Sequence, residues 1–489
     1  MNAARTITEF NTMNVLGELL SLVCPPDVNV RGTSSAFKDA WDSNVTGMVF
    51  MKRGDLDKPR FENLAKRFPK LVNVDIYLDD ESHGAHLLLD HPDFAARLQR
   101  LCLTARAHSE EGLALMELAL ALCVRLTEVR LACQQNTVVG RLLAALGGGR
   151  ELRYLTALVL DGAASLKDLG PTLFKVLPRM TVLRRLDMKS AIFVEDVAQA
   201  IIEHAPPSLC CLRITIPNDS SRQLLRMIDG LALRLTDLCI DYGYTLWSSN
   251  TVSPSFHLLS ALTRFDLSTT SVSPLAIHLP VGIALLTGLT YLRLEILAEH
   301  VEAAVQSIRA LPCLKELVLE RIHLSICRGA LAPALDGLAS VLRTLRILNC
   351  DLTPSCVEAL GPALKRLAGL THLDLSRNTR LGPDGAFVLE QWLPPALTCL
   401  GLRNIGLGPT GLLALAPRLA MLRGLRRLDL SRNGLGRYKG VDAVLNTISR
   451  LRALKELDVL DAENCFGDAK EHLRIREVLG GTNSLMSVS

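Results

Sequence analysis

A chain of 489 residues can hold two or three ordinary domains or one long repeat array, and its composition favours the array. It carries 97 leucines while aromatic residues make up only 4%, so one medium branched side chain fills the core in place of the varied shapes an irregular interior needs. With 54 basic and 50 acidic residues in short interspersed runs, the charge excludes a dedicated nucleic-acid surface, and no apolar run reaches transmembrane length.

Residues 1–12 form a polar tail, relieved only by Ile7 and Phe10, without the apolar stretch of a signal peptide. A cytoplasmic protein is expected, with a nuclear location left open. Residues 13–44 then read as two helices. Val15, Leu16, Leu19, Leu20 and Leu22 make the first amphipathic, Pro25 and Pro26 break it, and residues 34–44 form a second that carries Phe37 and Trp41. Glu18, Leu19, Leu20, Asp27, Val28 and Phe37 resemble, in order and type, a degenerate F-box. That resemblance implies a surface for the Skp1 adaptor of a cullin ubiquitin ligase, with Leu19, Leu20, Asp27 and Phe37 as contact residues. The segment departs from the family: Val15-Leu16 stands where Leu-Pro is usual, and the stretch from Glu18 to Asp27 is short by about one helical turn. The competing expectation is a plain cap, since a repeat array must cover its terminal leucine layer.

From residue 45 to 464 the pattern L-x-x-L-x-L recurs in about sixteen units. Its first leucines are Leu71, Leu98, Leu126, Leu155, Leu183, Leu209, Leu235, Leu262, Leu289, Leu314, Leu342, Leu370, Leu397, Leu425 and Leu454, spaced by 25 to 29 residues, and a weaker copy starts at Val45. Alternation at Leu428 and Leu430 predicts a short half-buried strand, and Asn433 falls where a side-chain amide can satisfy the turn. In the unit before it, Ile405 takes that slot, so apolar packing is expected there instead; Cys350 takes it further upstream. A helix follows each strand. Thr353 and Pro354 are the cap and first turn of one, with Val357, Leu360, Leu364 and Leu367 on its buried face, and Leu412, Leu415 and Leu419 mark another. A strand and a helix in roughly 28 residues resemble the ribonuclease-inhibitor-like leucine-rich-repeat family. The resemblance implies an α/β solenoid curved into a horseshoe, with a parallel β-sheet on the concave face and helices outside. Residues 465–489 are read as a C-terminal cap and tail.

Thirteen cysteines include no C-x-x-C pair and leave an odd one over, so reduced thiols are expected. His83, His86, Asp90 and His91 read as loop and helix-face residues, and Gly147-Gly148-Gly149 as a helix stop. No catalytic constellation, metal site or cofactor is expected. The expected work is binding a protein, neither nucleic acid nor membrane, by a chain that is monomeric on its own. Strand residues facing the concavity are the candidates: Asp237, Asp241, Arg264, Asp266, Tyr291, Arg293, Glu295, Glu316 and Arg346. One irregular unit adds Tyr242, Tyr244 and Trp247, three aromatics within six residues of an aromatic-poor chain, suited either to a binding hot spot or to plugging a missing helix. Two readings stay open: the substrate-recognition subunit of a Skp1-cullin-F-box ligase, or a stand-alone scaffold or inhibitor.

Overall fold

Every strand opens two residues after the first pattern residue of its repeat, Val45 for the first strand and a leucine for the others. Leu71 precedes a strand at Asn73, Leu98 one at Arg100, and so on to Leu454 and Glu456. From Leu71 to Leu425 the leucine itself is buried at the base of the strand, and the alternating pattern then sends every second side chain inward. The computed structural model describes residues 47–50, 70–78, 83–105, 110–133, 135–148, 152–162, 169–190, 195–216, 221–242, 256–269, 282–295, 298–324, 331–436, 442, 447 and 456–458. Two compact units divide the chain, Met1–Arg234 and Leu235–Ser489. Leu19, Leu20, Asp27, Phe37, Tyr244 and Trp247 lie outside the described residues.

In the first unit the strands are β1 (Gly47–Phe50), β2 (Asn73–Leu78), β3 (Arg100–Ala105), β4 (Glu128–Cys133), β5 (Ala157–Gly162), β6 (Arg185–Ser190) and β7 (Cys211–Ile216), each parallel to the next. Between them run α1 (His83–Asp90), α2 (Pro92–Arg97), α3 (Glu110–Leu120), α4 (Asn136–Leu146), α5 (Gly170–Val176), α6 (Glu195–His204) and α7 (Ser221–Leu231). His83, His86 and Asp90 sit on α1, and among the described residues no group of three or more His, Cys, Asp or Glu is placed to hold a metal. Gly147 ends α4 in an ordinary right-handed conformation. Its want of a side chain serves packing, since a β-carbon there would come within 3.0 Å of Val176.

The second unit repeats the scheme with β8 (Asp237–Tyr242), β9 (Arg264–Thr269), β10 (Tyr291–Glu295), β11 (Glu316–Glu320), β12 (Thr344–Leu348), β13 (His372–Asp374), β14 (Cys399–Gly401), β15 (Arg427–Asp429) and β16 (Glu456–Asp458), again parallel in chain order. Its helices are α8 (Ala298–Ile308), α9 (Leu331–Gly337), α10 (Pro354–Arg366), α11 (Gly382–Trp392) and α12 (Gly408–Met421). Thr353 caps α10, its hydroxyl accepting from Cys356 N at 3.4 Å, and Pro354 opens the first turn without wasting a donor. Each unit is therefore a leucine-rich-repeat stack of the α/β class. No helix among the described residues is long and apolar enough to cross a membrane.

Polar side chains stitch neighbouring repeats at two recurring positions. A threonine just before the strand donates its hydroxyl to a carbonyl of the preceding repeat: Thr263 to Thr236 at 3.0 Å, Thr290 to Thr263 at 3.1 Å, Thr398 to Thr371 at 3.1 Å. After the strand, Asn433 is 4% exposed and works in both directions. Its Nδ2 donates to Leu402 O and Leu430 O at 2.7 and 3.0 Å, while its Oδ1 accepts from Ile405 N and Leu407 N at 3.0 and 3.2 Å. The turn at Ile405 thus does not rest on apolar packing alone. Ile405 is fully buried, but the backbone N–H groups that its side chain cannot serve are taken by Asn433 of the next repeat. Asn378 serves Cys350 N in the same way at 2.8 Å, and the Cys350 thiol donates to Leu319 O at 3.3 Å, as an asparagine amide would. Burial pushes that thiol up to about 12, which keeps it protonated and able to donate.

Candidate interaction surface

The strand register of the second unit lines up the outward side chains in rows. One row runs Asp237, Arg264, Tyr291, Glu316, Thr344, His372, Cys399, Arg427; the next runs Cys239, Asp266, Arg293, Val318, Arg346, Asp374, Gly401, Asp429. Parallel strands bring such neighbours within reach of one another, so charges one repeat apart in sequence meet directly.

They meet in opposite pairs. Arg264 Nε lies 3.6 Å from Asp237 Oδ2, and its guanidinium stacks over the Tyr291 ring at 3.8 Å from the centroid. One row over, Arg293 reaches Asp266 at 3.4 Å on one side and Glu320 at 2.8 Å on the other. Arg346 approaches Glu316 at 3.7 Å. Burial opposes the charge on Arg293, but Asp266 and the hydrogen bond to Glu320 outweigh it and hold the guanidinium above its ordinary range. Burial, with Asp266 beside it, also raises the Tyr291 phenol, which stays a neutral donor at physiological pH.

Glu295 plays a different part from its neighbours. Only 4% exposed, it accepts from Arg321 at 2.7 Å and from the Ser268 hydroxyl at 2.8 Å. It anchors the cluster from beneath rather than offering a free carboxylate. Asp241 is half-buried at the end of β8, opposite Ser268, and Tyr242 is the last residue of that strand. The structure therefore brings Asp237, Arg264, Asp266, Tyr291, Arg293, Glu295, Glu316 and Arg346 onto one continuous surface. Ser268 and Arg321 complete it and were not singled out from sequence. Arg321 lies one repeat after Glu295 with opposite charge, a pairing visible only when the register is known.

The first unit shows a sparser version. Arg130 pairs with Asp161 at 2.6 Å and Arg100 with Glu128 at 3.6 Å, while Arg185 holds Asp187, which is only 6% exposed. No aromatic ring joins these pairs among the described contacts.

No family model matches the chain. Over 160 residues it is 34% identical to the ribonuclease inhibitor of Sus scrofa, an alignment that covers 30% of this chain and 34% of that protein. The chain thus spans about a third of the length of this curated relative. Among solved structures it is similar to the crystal structure of the Rad7 and Elc1 complex in yeast (TM-score 0.38, 16% identity, 82% of each chain covered). It is also similar to the leucine-rich repeat-containing protein LegL7 from Legionella pneumophila (TM-score 0.34, 15% identity, 69% of this chain and 94% of that one). At these scores the two structural likenesses carry no argument about function.

Proposed function

We propose that this chain is a protein-binding repeat module whose second unit engages a partner through the strand face centred on Tyr291 and Arg293. The observation that carries the reading is the stacked and ion-paired cluster of Arg264, Tyr291, Asp266, Arg293 and Glu320. Tyrosine and arginine dominate protein interfaces because they cover much area from a stiff frame, and here neighbours hold both side chains in place before any partner arrives. For half-buried ion pairs such as these the cost of desolvation offsets much of the attraction, so stability is a weak reason to assemble so many. The stretch similar to ribonuclease inhibitor, a protein named for acting on another protein, supports the same class of work. Replacing Tyr291 and Arg293 together by alanine should abolish recovery of cellular partners with the tagged chain while leaving its melting temperature nearly unchanged. Undiminished recovery would sink the reading.

A finer form makes the chain the substrate-recognition subunit of a Skp1-cullin-F-box ubiquitin ligase. Its support is the sequence resemblance of residues 13–44, with Leu19, Leu20, Asp27 and Phe37 as adaptor contacts. The alternative is a stand-alone scaffold or inhibitor in which those helices only cap the stack. Exchanging Leu19 and Leu20 for aspartate separates the two. In the adaptor reading Skp1 and cullin vanish from the eluate and stability holds, because the leucines face a partner. In the capping reading the melting temperature falls sharply, because two charges would be forced against an apolar layer.

A further inference from the structure

On the outward row of the second unit a thiol stands between an imidazole and a guanidinium. Cys399 of β14 has His372 of β13 as its register partner on one side and Arg427 of β15 on the other. The leucines that follow these three, Leu373, Leu400 and Leu428, are buried, so alternation sets all three side chains on the outward face. Cys399 is half-buried there, whereas Cys123, Cys133, Cys350 and Cys356 lie in the core.

The imidazole is held in one tautomer. Thr371 donates its hydroxyl to Arg343 O at 3.1 Å, which spends its only hydrogen, and the same oxygen lies 2.9 Å from His372 Nδ1. That oxygen can only accept from the ring, so the ring proton sits on Nδ1 and Nε2 keeps an open lone pair. Nε2 has no hydrogen-bond partner among the described residues. Burial, then the charges of Arg346 on β12 and Arg427, hold the ring below its ordinary range, with Glu316 pulling the other way. It is therefore neutral at physiological pH and able to take up a proton. Asp374 and Asp429, the next outward residues of β13 and β15, direct Oδ1 at the backbone N–H and hydroxyl of the serine two residues on. The charge of Arg427 acts on His372 from two strands away, so it also reaches Cys399 between them, where it favours the thiolate.

We propose that Cys399 is a reactive thiol that exchanges with low-molecular-weight disulfides, with His372 as its proton acceptor and Thr371 as the residue that orients the ring. This thiol chemistry goes beyond partner binding and does not depend on it. Nε2 takes the thiol proton, and the thiolate attacks one sulfur of the disulfide. A mixed disulfide forms as the original S–S bond breaks, and the leaving thiolate takes the proton from the imidazolium and departs as a free thiol. One disulfide replaces another, so no further oxidant is consumed. A metal ion suits the pair less well, since no third His, Cys, Asp or Glu joins it among the described residues.

The test treats the full chain with a limiting amount of dipyridyl disulfide, an uncharged reagent, and follows each cysteine by peptide mass spectrometry. Cys313 is exposed and serves as the reference within the same molecule. In wild type Cys399 should react at least about tenfold faster than Cys313 despite its lower exposure, while buried Cys350 stays unmodified. His372→Gln should lower the ratio of Cys399 to Cys313 modification by about tenfold or more. If Cys350 becomes modified in that variant, the fold has opened. Thr371→Val, which keeps the ring but releases its tautomer, is then measured in its place, with the same fall expected. The proposal is overturned if wild-type Cys399 reacts no faster than Cys313, or if the folded variant leaves the ratio unchanged.

Discussion

Asn433 shows how much a single side chain can do in this fold. Five of its hydrogen bonds are buried, and two of them serve backbone donors of another repeat, Ile405 N and Leu407 N. Asn433→Ala leaves those donors without partners, and each orphaned buried group costs roughly 1–3 kcal/mol, so a loss of about 2–4 kcal/mol is expected in urea unfolding of the full chain. A loss under about 1 kcal/mol would mean that water can reach the turn. His372 offers a charge-based counterpart. Burial, then Arg346 and Arg427, hold its imidazole below the ordinary 6.5, with Glu316 pulling the other way. The unfolded chain therefore takes up the proton more readily than the folded one. The stability that His372 contributes is full above about pH 6.5 and is lost as pH falls from there through its lower folded value. His372→Gln should flatten this slope in urea midpoints measured across that range, and an unchanged slope would place its origin elsewhere.

Between helices the fit is tightest where α10 meets α11. A β-carbon at Gly361 would collide with the Trp392 indole, so the glycine is there to admit the ring. Alanine is the better helix former by about 1 kcal/mol, yet Gly361→Ala should destabilise the chain, and adding Trp392→Ala should recover part of the loss. Thermal melts of the three variants decide this; a stabilised single variant would show that the ring moves aside freely. On the strand side, Leu428→Ala should cost roughly 2–5 kcal/mol, because a fully packed layer cannot close over the cavity. The leucine period is legible in sequence because it is local: each strand sits two residues after its leucine, and the helix faces of Val357 and Leu412 follow from spacing alone. What joins one repeat to the next was not legible, because it depends on which residues about 26 to 31 positions apart come to lie side by side. The Asn433 bridge to Ile405, the burial of Glu295 under Arg321 and the Gly361–Trp392 contact are all of this kind. Which positions share a face was legible from alternation, although Glu295, read as outward, is buried. Their mutual pairing was not, since that needs the register.

For the chain as a whole, the two sides of the second unit differ in chemistry. The strand rows carry ion pairs and a stacked tyrosine, whereas the helices present scattered apolar side chains such as Phe387 on α11 and Leu413 on α12, 56% and 51% exposed. Lone exposed apolar groups are ordinary on a protein surface, while a preorganised cluster of arginine and tyrosine is not. A binding module that uses the strand face should therefore touch its partner there and leave the helices bare. Photo-reactive amino acids incorporated one at a time at positions 291 and 413 of the full chain, followed by crosslinking in living cells, would report the contact directly. The expected result is a discrete adduct from position 291, lost when Arg293 is also replaced by alanine, and none from position 413. Adducts from position 413 with none from position 291 would contradict it.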